Sequence, residues 1–250
     1  MPNLAVSRDT GELVRETWRV YRSHAGVFLA LAAVVVFPVE MIFGGIGLGE
    51  LTSGYPHHVP AGLALLDTLL GIALTTPLIT AMHVTAVLDL ARGDSPSVRR
   101  STQVALDAFP AVLGAMLIYL AGLALGFVLI VPGVYWAVRW YFVTQAVLVD
   151  GRRGSGALVR SAELVDGSWW RVVGIAIAFN LLVLPVGFLA GLGIDAAARA
   201  ADSGAVYLAG TAVAETVTFS FLALATTLVY FDLRFRREGK PPPVGPLPSS

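Results

Sequence analysis

The sequence predicts an all-α membrane protein: six transmembrane helices as three hairpins, each preceded by a cytoplasmic interfacial amphipathic helix. Three observations carry that reading. Six long apolar stretches run through a 250-residue chain that is 56% hydrophobic and 14% charged, with a mean hydropathy of +0.75, more apolar surface than an ordinary soluble domain can bury. Fifteen of the seventeen basic residues fall in segments that six crossings would place on one side. Similar punctuation closes three of the segments: "LDLARGD", "LVDGRRG" and "FDLRFRREG".

The chain opens with "GELVRETWRVYRSH", in which Val14, Trp18 and Tyr21 have helical apolar spacing and Asp9 with Glu12 forms a capping-box pattern. About two dozen mostly polar residues precede the first apolar run, so no cleavable signal is expected. A spanning helix needs about 20 apolar residues, and the first span is 25–48. The loop "SGYPHHVPAG" holds His57 and His58, and two imidazoles without a third ligand read as a solvated loop rather than a zinc site. Span two is 61–90, with His83 among Thr75, Thr76, Thr80 and Thr85. A satisfied interior histidine is the first reading there, and a proton relay toward Asp89 the second.

The second interfacial segment, "SPSVRRSTQVALDAF", starts with Ser95 as N-cap and Pro96 at the first helical position. Spans three, 108–131, and four, 134–149, are joined only by Pro132 and Gly133, predicting a tight turn near the outer surface that neighbouring protein should cover. The third interfacial segment, "SGALVRSAELVDGSWW", leads to spans 172–194 and 206–230. Odd-numbered spans carry the late prolines Pro38, Pro132 and Pro185, and Asp89, Asp150 and Asp232 occupy matching places at the ends of even ones. The domain is thus 1–238, with approximate repeats 9–93, 94–154 and 155–238, followed by a disordered Pro-rich tail, 239–250. The positive-inside rule puts both termini and the basic segments in the cytoplasm.

Arg139 and Arg199 are the two basic residues outside that pattern. At 1.5 Å per residue Arg139 lies roughly 16 Å above Asp150, and Glu40 and Glu215 lie roughly 22 to 25 Å above their cytoplasmic ends. All three fall in the outer half, where Arg139 pairs with Glu215 or Glu40 as a structural bridge, lines an outward cavity for a headgroup or anionic solute, or snorkels to the interface. Tyr135, Trp136, Trp140 and Tyr141 suit an interfacial aromatic belt. Arg99, Arg100, Arg152 and Arg153 are the headgroup-binding candidates of the basic collar. The glycines of "FGGIGLG" and "GFLAGLGI" and Asn180 read as helix-packing devices.

The runs "PGVYWAVRW", "GRRGSGALVRSAELVDGSWWRV" and "VYFDLRFRREG" resemble the membrane domain that in some bacteria accompanies a glycerophosphodiester phosphodiesterase, and its stand-alone bacterial relatives of unassigned function. The resemblance covers nearly all of the membrane region and implies a bacterial plasma-membrane location. About twenty residues follow Tyr230, too few for the catalytic barrel, so phosphodiesterase activity is not carried over.

With no cysteine, disulfides and thiolate chemistry are excluded. No nucleophile and base, metal triad or paired-carboxylate motif stands out, so no catalytic residue, metal or cofactor is expected. The expected function is non-enzymatic: binding of membrane lipids, anionic ones above all, or of a partner membrane protein or second copy, without nucleic acid. A small-molecule or lipid transporter is the second reading, and an intramembrane lipid-modifying enzyme the third.

Overall fold

The computed structural model describes residues 4–46 and 61–239; His57, His58 and the tail from residue 240 lie outside them. All regular structure among the described residues is helical: α1 (Thr10–Ser23), α2 (Ala25–Ile46), α3 (Ala61–Leu70), a π segment (Gly71–Thr75), α4 (Thr76–Arg92), α5 (Val98–Phe127), α6 (Val131–Arg139), α7 (Val143–Asp150), α8 (Ser155–Val165), α9 (Trp169–Ala201) and α10 (Gly204–Glu238). Five stretches are long and apolar enough to cross a membrane: α2, the run Thr68–Arg92, α5, α9 and α10.

The expected fourth span departs from this pattern. It consists of two short helices, α6 with 9 residues and α7 with 8, and neither reaches the roughly 20 residues that a crossing needs. The break is tolerated because α8 repairs it from outside. The Ser161 hydroxyl, fully buried, donates to the carbonyl of Arg139 at 2.9 Å and accepts from the N–H of Phe142 at 3.0 Å. One side chain thereby satisfies two backbone groups that an interrupted helix leaves open. Ser161→Ala is expected to cost about 2 kcal/mol, since it strands a buried N–H and a carbonyl together. Unfolding in a graded denaturing-detergent series would check this, and an unchanged midpoint would mean that the break is held by other contacts.

Three further expectations change. The second interfacial segment is not a separate helix but the first turns of α5, and its N-cap is Ser97, not Ser95. Ser97 is extended at φ −111° and its side chain accepts the N–H of Arg100, so the cap falls two residues later than Ser95. The proline inside the third span is Pro110, whereas Pro132 lies in the first turn of α6, where its missing N–H costs nothing. Among the described residues nothing covers the turn between α5 and α6. Val128, Leu129, Ile130 and Val131 are each more than two-thirds exposed, and the turn closes its own backbone bonds through Leu129 to Gly126, Ile130 to Phe127 and Val134 to Ile130.

Glycine makes that hairpin possible. A Cβ on Gly126 would lie 2.9 Å from the Cα of Gly133, so the two backbones meet closer than any side chain allows. Trp140 stacks on Trp136 and its ring covers Gly122. The aromatic cluster expected as a belt is therefore partly spent on packing α6 against α5.

The core gathers around α10, against which α1, α2, α4 and α9 all pack. Phe28, Met82, Leu224 and Tyr230 are fully buried there. α1 opens with the expected capping box, Glu12 N–H to Asp9 and Asp9 N–H to Glu12. It buries Leu13, Thr17, Val20 and Tyr21 while Arg15, Arg19 and Arg22 stay exposed. By contrast α9 leaves Leu181, Leu184, Val186, Phe188 and Leu189 each more than 60% exposed, the surface of a helix facing lipid rather than water.

Candidate functional site

Of the three matching aspartates, Asp89 and Asp232 are buried and Asp150 is partly so, and each holds arginines. Asp232, at 0% side-chain exposure, accepts Nε of Arg236 at 2.9 Å, Nη2 of Arg171 at 3.1 Å and the backbone N–H of Arg8 at 2.6 Å. Arg171 and Arg236 also donate to the carbonyl of Arg8, at 2.5 and 2.6 Å. The segment before α1 is thus clamped to the last helix by a carboxylate and two guanidinium groups, which places the described ends of the chain together.

Asp150 accepts Nε of Arg160 at 2.8 Å, the hydroxyl of Tyr230, and Arg234 at 3.5 Å. Arg160 reaches on to Glu238. Burial opposes the charge on Arg160, but its hydrogen bonds to Asp150 and Glu238 outweigh that and hold its pKa above the ordinary arginine value. Asp89 accepts Arg100 at 2.9 Å, with Arg92 at 3.7 Å, and its Oδ2 has no hydrogen-bond partner among the described residues. In two of three cases the aspartate ending one helix takes an arginine ten or eleven residues on, in the next helix.

The helices that bear these aspartates end alike. Gly93, Gly151 and Gly239 close α4, α7 and α10 at φ 89°, 63° and 62°, in the left-handed region that glycine occupies without strain. That is the physical content of the repeated acidic and glycine punctuation.

The arginines of the expected collar separate into two kinds. Arg100 is bound to Asp89 and only half exposed. Arg99, Arg152 and Arg153 are exposed, and none of their side chains meets a carboxylate among the described residues.

The layer expected to join Arg139, Glu40 and Glu215 does not form. Arg139 turns back along its own helix, donating to the hydroxyl of Tyr135 at 2.6 Å with its guanidinium 5.4 Å from that ring. It borders a depression with Ser155, Leu158 and Glu163 of α8. Tyr135 in turn stacks on Trp169 at the start of α9. The break at 140–142 is the reason: it frees α6 to lie against α8 and α9 instead of continuing the line of α7. Glu40 and Glu215 do come together, lining a cavity of about 210 Å³ beside the π segment with Thr68, Thr75 and Thr76.

His83 is completely buried, its Nδ1 2.8 Å from the carbonyl of Ile79 and its Nε2 3.2 Å from the hydroxyl of Ser220, stacked on Phe28. Both nitrogens are used and nothing links it to Asp89, so the geometry gives no relay. Asn180 bonds within its own helix, to the carbonyl of Ala176 at 2.8 Å.

Sequence reasoning missed Ser161, Tyr230 and the latch roles of Arg160, Arg171 and Arg236. The recurring offset of Asp and Arg by ten or eleven residues was the available signal for Arg160. For Ser161 no local pattern existed, because its partners lie 19 and 22 residues away.

Comparison with known proteins adds no identity: no family model, no curated protein and no solved structure matches this chain.

Proposed function

We propose that this chain is a non-enzymatic multi-pass membrane protein of a bacterial plasma membrane, and that the basic end of its bundle binds anionic lipid headgroups. One observation carries the reading. At the end where three aspartates neutralise Arg100, Arg160, Arg171 and Arg236, Arg99, Arg152 and Arg153 remain exposed and without carboxylates among the described residues. Unspent guanidinium groups beside apolar helices are suited to phosphate oxygens at a bilayer surface. In this reading α6 and α7 together form a broken fourth crossing that brings the total to six, the three units are hairpins that begin and end in the cytoplasm, and both termini lie there. The contact of Arg8 with Asp232 supports an even number of crossings.

The test is lipid retention by native mass spectrometry from nanodiscs of mixed phosphatidylcholine and phosphatidylglycerol. At about 1 kcal/mol per basic residue near a charged surface, changing Arg99, Arg152 and Arg153 to Gln is expected to weaken phosphatidylglycerol retention on the order of a hundredfold, with the thermal midpoint unchanged. Arg100→Gln should lower stability as well, through Asp89. Undiminished retention in the triple variant would refute the basic-face reading.

A transporter is the second reading, favoured by the broken α6–α7 element, the π segment and the cavity that holds Glu40 and Glu215. Interrupted helices and π turns mark binding sites in membrane bundles.

A further inference from the structure

An open groove of about 640 Å³ lies between α5 and α8, with Arg139 and Trp140 at the end of α6 also lining it. Its size is that of a ligand site. From α5 come Ile118, Ala121, Gly122 and Leu125, the i, i+3, i+4 and i+7 stripe of one helical face. From α8 come Ser155, Val159 and Glu163, four residues apart. The apolar part of this wall is left uncovered: Ile118, Leu125 and Val159 are 43%, 73% and 57% exposed. Ile118 and Leu125 belong to the apolar run Val98–Phe127, whereas α8 is tied through Arg160 to Asp150 and Glu238 at the charged end of the bundle. The groove therefore joins a headgroup environment to a hydrocarbon one.

Two charges border it without meeting each other. Arg139 donates to the hydroxyl of Tyr135 at an exposed position and has no carboxylate partner among the described residues. Glu163 is 55% exposed, and its ion-pair contact is with Arg160 at 3.8 Å, too long for a hydrogen bond.

From this arrangement we infer that the groove binds a glycerophospholipid with a zwitterionic primary-amine headgroup, of the phosphatidylethanolamine class. Arg139 takes the phosphate, Glu163 takes the ammonium, and an acyl chain lies along Ile118, Leu125 and Val159. Three features select that chemistry. A guanidinium without a carboxylate partner offers a fork of N–H donors that matches phosphate oxygens. A carboxylate on the same rim disfavours an anionic headgroup, and it accepts N–H bonds that a primary ammonium can give and a trimethylammonium cannot. The uncovered apolar stripe is buried by a hydrocarbon chain, whereas a free phosphate or headgroup would leave it bare. The site is separate from the basic face, since Arg99, Arg152 and Arg153 do not line the groove.

The experiment uses the full chain in nanodiscs of equal phosphatidylethanolamine and phosphatidylcholine, read by native mass spectrometry. The unaltered protein is expected to keep phosphatidylethanolamine over phosphatidylcholine by about tenfold, the worth of one charge-assisted contact. Arg139→Gln should lower phosphatidylethanolamine retention by about the same factor. Ala121→Phe, which fills the groove from an exposed position, should bring that retention down to the phosphatidylcholine level with the thermal midpoint unchanged. Glu163→Gln should erase the preference between the two lipids and leave the midpoint in pure phosphatidylcholine nanodiscs unchanged. Changing Arg99, Arg152 and Arg153 to Gln should leave the ethanolamine lipid in place, so the two lipid sites fail independently. Undiminished retention in Ala121→Phe or Arg139→Gln overturns the site, and Ala121→Phe decides alone if Arg139→Gln does not fold. Phosphatidylcholine held as firmly as phosphatidylethanolamine by the unaltered protein, or an unchanged preference in Glu163→Gln, overturns the recognition of the amine. Displacement of the lipid by inorganic phosphate means that the site takes phosphate alone, which also defeats the proposal.

Discussion

Asp232→Ala is expected to lower the stability of the folded protein by about 3 to 5 kcal/mol, the usual cost of removing one member of a buried charge cluster. The loss is large because the carboxylate, at 0% side-chain exposure, faces two guanidinium groups and a backbone N–H. Without it, Arg171 and Arg236 are left converging on the carbonyl of Arg8, which can neutralise neither. The segment before α1 should then detach first, so limited proteolysis near Arg8 should accompany the lowered midpoint. An exposed control such as Glu163→Ala, whose carboxylate is 55% exposed, should stay within about 0.5 kcal/mol. Comparable losses at Asp232 and Glu163 would show that the cluster is not what ties the two ends together.

Asp150→Ala is the second large effect, about 3 kcal/mol by the same reasoning. It strands the buried hydroxyl of Tyr230 and removes one of the two carboxylates hydrogen-bonded to Arg160. Combining it with Arg160→Ala tests the network directly. Residues in one polar cluster couple by about 0.5 to 3 kcal/mol, so the double variant should be clearly less destabilised than the sum of the two single ones. Strict additivity would mean that Asp150 and Arg160 act separately. Asp89 should respond less, because its partner Arg100 is half exposed and water can replace the carboxylate there.

Much of the candidate site was half visible before folding is considered. Asp89, Asp150 and Asp232 stand out as repeated punctuation, since each precedes a glycine that ends a helix. Their partners did not stand out. Arg100 and Arg160 read as surface charges because helical periodicity puts them on polar faces, and only the docking of α5 and α8 turns them toward carboxylates. Glu40 and Glu215, which the rise per residue puts at similar heights on their helices, line one cavity. Arg139 was misplaced by the same ruler, which fails where a helix breaks.

What the amino-acid sequence determines by itself is the solvent and the elements. Runs of apolar residues require lipid around them, capping residues and glycines set where most helices start and stop, and the skew of basic residues marks one face. These are local properties, decided within a few residues by backbone hydrogen bonding and transfer from water. Tertiary structure alone decided the rest: that the fourth span breaks, that Ser161 mends it from another helix, and that Arg139 leaves the acidic layer. Each depends on how helices far apart in the chain pack, where geometry rather than periodicity decides which polar groups find partners.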